Sequence, residues 1–272
     1  MPIALSSASG DSIRPMGEWD SGQASNGFEG LPSARVHLGP IDSGSLLRWL
    51  GRSVRNSDVV VWPLVLLPDF LLAEGAMPAD SVERYHHVRW ETPVPSGPFE
   101  AVIQPTWVRG RGGRTEFELV IHAEVGGRAV ASSRIVCLTQ AMLPSAGSPI
   151  VAEAPDPHDL VAVRSMTVDD ATVQEFCDAS RTKYAVTTKI KEAQVLGFRN
   201  VLVPGPLLTI IHMADALSDR TGGSIGVWFK GPVTAGSAML MCRSESEQAV
   251  WSLRSVGTGR PTTLALIEQP RL

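Results

Sequence analysis

The sequence predicts an α+β protein built from two similar units, each a helix followed by several antiparallel strands. Three observations carry that prediction. A strand leading into an amphipathic helix occurs twice. An aromatic-x-x-Pro-Val-x-x-Gly element also occurs twice, later in each block and in the same order. Alternating apolar runs joined by glycine-rich turns then follow each copy, as antiparallel strands require.

In the first block the helix signal is Val36, then Ile41-Asp42, then Leu46, Trp49 and Leu50. In the second it is Val163, then Val168-Asp169, then Val173, Phe176 and Cys177. The apolar positions fall at i, i+3 and i+4, which gathers them on one helix face. Thr167 with Asp170 three residues on has the form of a capping box for the second helix. The shared later element is Trp90-Glu91-Thr92-Pro93-Val94-Pro95-Ser96-Gly97 in one block and Phe229-Lys230-Gly231-Pro232-Val233-Thr234-Ala235-Gly236 in the other. Phe117, Leu119, Ile121, Ala123 and Val125 then share one strand face, and Gly126-Gly127 turns the chain back into Ala129–Leu138. In the second block Trp251 and Leu253 precede Gly257-Thr258-Gly259, and Leu264 and Leu266 follow.

Two stretches stand outside this pattern. Residues 1–33 are rich in Ser, Gly, Asp and Pro without periodicity, and read as a flexible arm. Residues 141–159 carry Pro144, Pro149, Pro155 and Pro157 and read as a linker. The domains are therefore an arm at 1–33, a unit at 34–140, the linker at 141–159 and a second unit at 160–272.

Composition limits what the chain does. Charged residues are 19% of 272 and the formal net charge is -4, so no basic footprint for nucleic acid is present. The longest apolar run, Val59–Leu67, contains Pro63 and is too short to span a bilayer. The start of the chain lacks a basic segment followed by an apolar run, so it does not read as a signal peptide. Cys137, Cys177 and Cys242 are odd in number and far apart, which favours a reduced, cytoplasmic compartment over a disulfide framework. Neither they nor the six histidines show zinc-ligand spacing, so no metal or other cofactor is predicted.

The run Phe176-Cys177-Asp178-Ala179-Ser180, Ala193, Gly197-Phe198 and Val203-Pro204-Gly205-Pro206-Leu207-Leu208, with Phe229–Gly236 after it, resembles the MaoC-like (R)-specific enoyl-thioester hydratases and dehydratases. The resemblance covers nearly all of 160–267 and, more loosely, 34–140. It implies a double hotdog: two curved antiparallel sheets, each wrapped around a long helix, forming a pseudo-dimer in one chain. It implies an acyl thioester of CoA or acyl carrier protein as partner, and assembly as a homodimer or with another hotdog subunit. Counted back from Gly197-Phe198, the family's catalytic Asp falls on Thr182 and its His on Thr187; its Asn falls on Tyr184 and its Pro on Ala185. A threonine hydroxyl lies far from a useful acid/base range near neutral pH, so the standard hydratase mechanism does not carry over. The first block's Arg55–Val60 stretch supplies no replacement pair.

The residues left for a site are Tyr184, Thr187, Thr182 and His86 as catalytic candidates, and Gly205, Arg181 and Lys183 as substrate-binding ones. Gly205-Pro206 reads as a helix start, either an ordinary one or one whose N–H groups polarise a thioester carbonyl. His86 shares a strand face with Val88 and Trp90, where the repeat has a core isoleucine. It is either a satisfied structural histidine or a proton carrier. His212 falls opposite the apolar face of its helix and reads as part of a solvated side. The loop with Arg181, Lys183 and Tyr184 is either a drifted loop or a rebuilt pocket, with the cations meeting a phosphopantetheine phosphate. Three functions follow. One is a lyase-like enzyme on acyl thioesters, acting as dehydratase, isomerase or cyclase in fatty-acid or polyketide-type metabolism. Another is a non-catalytic acyl-binding subunit or scaffold beside an active hydratase. The last is a thioesterase using Asp178 or Glu192.

Overall fold

The structure is a computed structural model, and it describes residues 19–20, 34–38, 58–73, 77–90, 99–150, 152–180, 182, 184–216, 223–247 and 249–268. The strands are β1 (Trp19–Asp20), β2 (Ala34–Leu38), β3 (Val82–Trp90), β4 (Phe99–Arg111), β5 (Arg114–Val125), β6 (Arg128–Thr139), β7 (Leu160–Thr167), β8 (Gly223–Phe229), β9 (Ala238–Ser244), β10 (Val250–Ser255) and β11 (Pro261–Glu268). The helices are α1 (Asp58–Ala73), α2 (Asp170–Ser180), α3 (Ala185–Thr188), α4 (Ile190–Val195) and α5 (Gly205–Ala216).

All eleven strands join one sheet in the order β1-β2-β4-β5-β6-β3-β8-β11-β10-β9-β7. The two curved sheets predicted from the sequence are therefore continuous. The join is the antiparallel pair β3–β8, with His86 opposite Val227 and Val88 opposite Ile225. Read inward, one side runs β2-β4-β5-β6-β3, with the two-residue β1 outside β2, and the other runs β7-β9-β10-β11-β8. The order of strands along the chain is the same on both sides: an outer strand (β2 or β7), the seam strand (β3 or β8), then three strands that fill the gap between them.

The hairpin turns follow local chemistry. Gly126 and Gly127 both have positive φ, 59° and 76°, the conformation a two-residue turn of matching twist demands. On β5, Phe117, Leu119, Ile121 and Ala123 are fully buried, as the alternation predicts. Helix α2 buries Val173, Phe176 and Cys177. Its cap is Asp169, whose carboxylate accepts the Thr172 N–H at 2.8 Å, and not Thr167, which ends β7.

Helices α1 and α5 lie side by side on one face of the sheet. Their apolar residues, Leu64 to Leu67 and Leu71 in one, Leu207, Leu208, Ile210 and Ile211 in the other, enter one core with the inward residues of both sides of the sheet. Each helix meets the sheet on one side and its neighbour on another. That overturns the reading of His212. It is fully buried, its Nε2 lies 2.7 Å from Thr263 Oγ1, and burial pushes its pKa down to about 3.

The opposite face of the seam holds a smaller cluster of Tyr85, Trp107, Val136, Trp228 and Leu264. The segment predicted as a linker lies across it. Trp228 donates its indole N–H to Ala152 O at 3.1 Å, Arg134 bonds Ile150 O at 2.6 Å, and Val108 pairs with Ala146. The predicted arm contributes β1, paired with β2; the rest of 1–33, the Ile41–Leu50 segment and Pro93–Gly97 lie outside the described residues. The three cysteines are buried and free. No helix among the described residues is long and apolar enough to cross a membrane.

Candidate functional site

A cavity of about 380 Å³ opens where the two sides meet, between α1, the start of β3, the α3 segment and the N-terminus of α5. Its size suits a small-molecule ligand. Most of its wall is apolar, and two carboxylates, Asp69 and Glu83, stand in it.

Asp69 sits in the C-terminal third of α1, within Leu66-Leu67-Pro68-Asp69-Phe70-Leu71. A helix that is apolar around its girth is a core helix, so Asp69, the one acid after Asp58 at the helix start, is carried into the interior, and only 8% of it is exposed. Thr182 crosses from the other half of the chain to donate its hydroxyl to Asp69 Oδ2 at 2.6 Å. Burial is the main cause of a pKa raised to about 7; the Thr182 bond pulls it down and the Glu83 charge pushes it up.

Glu83 reaches the cavity through a β-bulge. Glu83 pairs with Cys137 and Tyr85 with Val136, leaving Arg84 unmatched between them. Cys137 belongs to the core and Val136 to the opposite face, so the bulge turns Glu83 inward, onto the side that His86 also faces. Glu83 Oε1 lies 3.3 Å from His86 Nδ1 without an aligned hydrogen bond, and His86 Nε2 lies 2.9 Å from Ser133 Oγ. His86 is fully buried and stands behind Glu83, away from the cavity wall. The Glu83 carboxylate rests against Gly205 at the start of α5, with the Phe229 ring beside it; a Cβ at position 205 would collide with Glu83 Oε2. Gly205→Ala should therefore push the Glu83 carboxylate out of place while leaving α5 folded. The expected result is an unchanged circular-dichroism spectrum, with the Glu83 carboxylate displaced from the start of α5 in a crystal structure of the variant.

Tyr184 lines the cavity from the N-cap of α3. Burial, with the nearby Asp80 and Asp69 charges, raises its pKa, so the phenol keeps its proton and acts as a donor. Its backbone carbonyl accepts the hydroxyls of Thr187 at 2.8 Å and Thr188 at 3.1 Å. The Thr187 hydroxyl is thus engaged in closing a helical turn, with the Cys177 thiol 3.8 Å away.

No protein-family model and no curated protein sequence matches the chain. Solved structures do. HtdX of Mycobacterium tuberculosis matches with a TM-score of 0.68 at 16% identity, over 86% of this chain and 99% of that one. A MaoC-like dehydratase from Phytophthora capsici matches at 0.58 and 14%, over 71% and 74%. The full-length peroxisomal multifunctional enzyme type 2 of Drosophila melanogaster matches at 0.64 and 14%, over 86% of this chain and 48% of that one. The chain has the hotdog-type fold of the MaoC-like dehydratases.

On this hotdog-type frame the predicted site residues separate. Thr182, Tyr184, Thr187 and Gly205 gather at the cavity or directly behind it, whereas His86 contacts it only through Glu83. Arg181 and Lys183 lie outside the described residues. Asp178 is exposed and bonded to Gln174, and Glu192 is exposed; neither lines the cavity. Among the described residues no cluster of His, Cys, Asp and Glu is arranged to hold a metal ion.

The two carboxylates were missed from sequence. Asp69 had a legible signal, a single acid inside an apolar helical run, since an acid so placed is rarely buried without a partner or a purpose. Glu83 had none, because strand alternation counted back from His86 puts Arg84 inside.

Proposed function

We propose that the chain is a double hotdog enzyme on acyl thioesters of CoA or acyl carrier protein, lyase- or isomerase-like, with Asp69 as its proton-transferring group. What supports two units, at 34–140 and 160–272, is the matching order of the five strands on either side of the β3–β8 seam, leaving aside β1. The observation that carries the chemistry is the Asp69–Thr182 hydrogen bond. Thr182 stands where the resemblance puts the family's aspartate. A carboxylate is therefore present within hydrogen-bond reach of that position, supplied from the other half of the chain.

Asp69 is suited to the work. A group whose pKa lies near the working pH is a good proton acceptor and a good donor in turn, and a buried carboxyl near 7 meets that condition. It would take a proton from, or give one to, the carbons next to the thioester carbonyl. Tyr184, protonated and lining the same cavity, would polarise that carbonyl. Gly205 is a less available donor site than the resemblance implies, because Glu83 occupies the space beside it.

The deciding experiment offers 3-hydroxyacyl, 2-enoyl and saturated acyl thioesters of CoA and carrier protein to the purified chain in D₂O. Deuterium entering the carbon next to the carbonyl reads the proton transfer whatever the final product. Incorporation that Asp69→Asn abolishes is the expected result. Neither exchange nor turnover with any of these would remove the enzyme reading and leave the non-catalytic acyl-binding subunit. Tyr184→Phe deletes one hydroxyl and should lower kcat/KM by roughly tenfold with little change in stability, the effect of losing about 1–1.5 kcal/mol of hydrogen bonding. Full activity in that variant would exclude Tyr184 as the carbonyl donor.

A further inference from the structure

Asp69 is not held by Thr182 alone. Thr182 Oγ1 lies 2.7 Å from Ser180 Oγ, and Ser180 Oγ lies 2.7 Å from the carbonyl of Phe176, in the last turns of α2. Four oxygens therefore form a line: Phe176 O, Ser180 Oγ, Thr182 Oγ1, Asp69 Oδ2. Ser180, Thr182 and Asp69 are all buried. The line begins on a carbonyl, which only accepts, and ends on a carboxyl, which accepts when ionised and also donates when protonated.

We propose that Ser180 and Thr182 are positioning residues whose two hydroxyls reverse direction together, so that Asp69 stays hydrogen-bonded through this line in both of its protonation states. With Asp69 ionised, Ser180 donates to Thr182 and Thr182 donates to Asp69. With Asp69 protonated, Asp69 donates to Thr182, Thr182 to Ser180, and Ser180 to the Phe176 carbonyl. The two states differ by one proton, the one Asp69 exchanges; both hydroxyl hydrogens are kept and only turn. In neither state is a buried hydroxyl hydrogen left without an acceptor, an omission that would cost more than the bond itself contributes. A carboxyl that must alternate between acid and base needs such support. A single fixed donor, such as a backbone N–H, would favour the ionised form only.

The proposal rests on the reading of Asp69 as a proton exchanger, but it is tested on Asp69's own titration, without substrate. The titratable groups around Asp69 are Glu83 and Arg84 from β3, Cys177 from α2 and Tyr184 at the start of α3. All are left in place. The carboxyl carbon of Asp69 is followed by ¹³C NMR against pH in the intact chain, its resonance identified by its loss in Asp69→Asn. Thr182→Val removes the donor to the anion, and the midpoint should rise by about one pH unit, the size of one hydrogen bond to a charged group. Thr182→Ser keeps a hydroxyl and should restore the original midpoint. Ser180→Ala removes an acceptor that only the acid form needs, so its midpoint should move downward.

Opposite shifts in Thr182→Val and Ser180→Ala, with rescue by serine at 182, are the signature of a reversing chain. A merely structural Thr182 would leave the midpoint at the wild-type value. A shift in Thr182→Val with none, or an upward one, in Ser180→Ala would reduce Thr182 to a simple donor and overturn the proposal. Should Thr182→Val fail to fold, the serine variant and Ser180→Ala still decide it. Opposite shifts in a chain that turns over no thioester would refute the enzyme reading and keep this one.

Discussion

Asp69→Asn should lower the rate of proton exchange by 10²–10⁴-fold, the range for losing a positioned acid/base group. Asparagine keeps the shape of the side chain and a carbonyl that still accepts the Thr182 hydroxyl, so the seam between the two halves should survive. Its thermal stability near pH 7 should equal or exceed that of the unaltered chain, because removing a buried ionisable group removes its desolvation cost. Loss of activity with retained stability separates a chemical role from a packing one. Retained activity would eliminate Asp69 as the proton carrier and shift attention to Glu83.

Stability should also depend on pH in a way that Asp69→Asn removes. In the folded chain Asp69 holds its proton up to about pH 7, against a reference of 3.8. Between those values the folded state binds more protons than the unfolded one, so stability from this group falls as pH rises. It is fully present below about pH 4 and lost above about pH 7. At ~1.4 kcal/mol per pKa unit this amounts to at most about 4 kcal/mol. His212 works in the opposite sense. Its pKa is lowered to about 3, so its contribution is present above pH 6.5 and lost as pH falls. Urea unfolding of both chains at intervals from pH 4 to 8, taken as their difference, cancels the His212 part. The expected difference declines steadily with pH. A flat difference would mean that Asp69 titrates in the ordinary carboxylate range, and the proton-exchange role would lose its basis.

These two expectations concern a residue that pattern reading passed over. The resemblance points to the loop 181–189, and the cavity does lie beside it. Within that loop, Thr182 bonds Asp69 and Tyr184 lines the cavity, whereas the Thr187 hydroxyl is taken up by a helical turn. The resemblance reaches that loop through Gly197-Phe198 but carries no sign that Thr182 bonds a carboxylate 113 residues earlier in the chain. Sequence spacing carries no information about contacts made across a seam between two units.

Period and local chemistry alone determined the α+β class, the inward face of β5, the turn at Gly126-Gly127 and the start of α5 at Gly205. Each depends on residues within a few positions of one another, where 2.0 and 3.6 periodicities and glycine's positive φ leave little choice. Tertiary structure decided the rest. It made His212 a core residue, because a helix wheel measures one helix and takes no account of the neighbour lying beside it. It turned Glu83 inward, because a bulge shifts strand parity by one residue and the shift is set by pairing with β6. It brought Asp69 to Thr182, because the β3–β8 pairing and the packing of α1 beside α5 bring the two sides of the sheet together at one cavity. In all three the controlling partner is distant in sequence, so the outcome is encoded in the chain yet not readable from any local part of it.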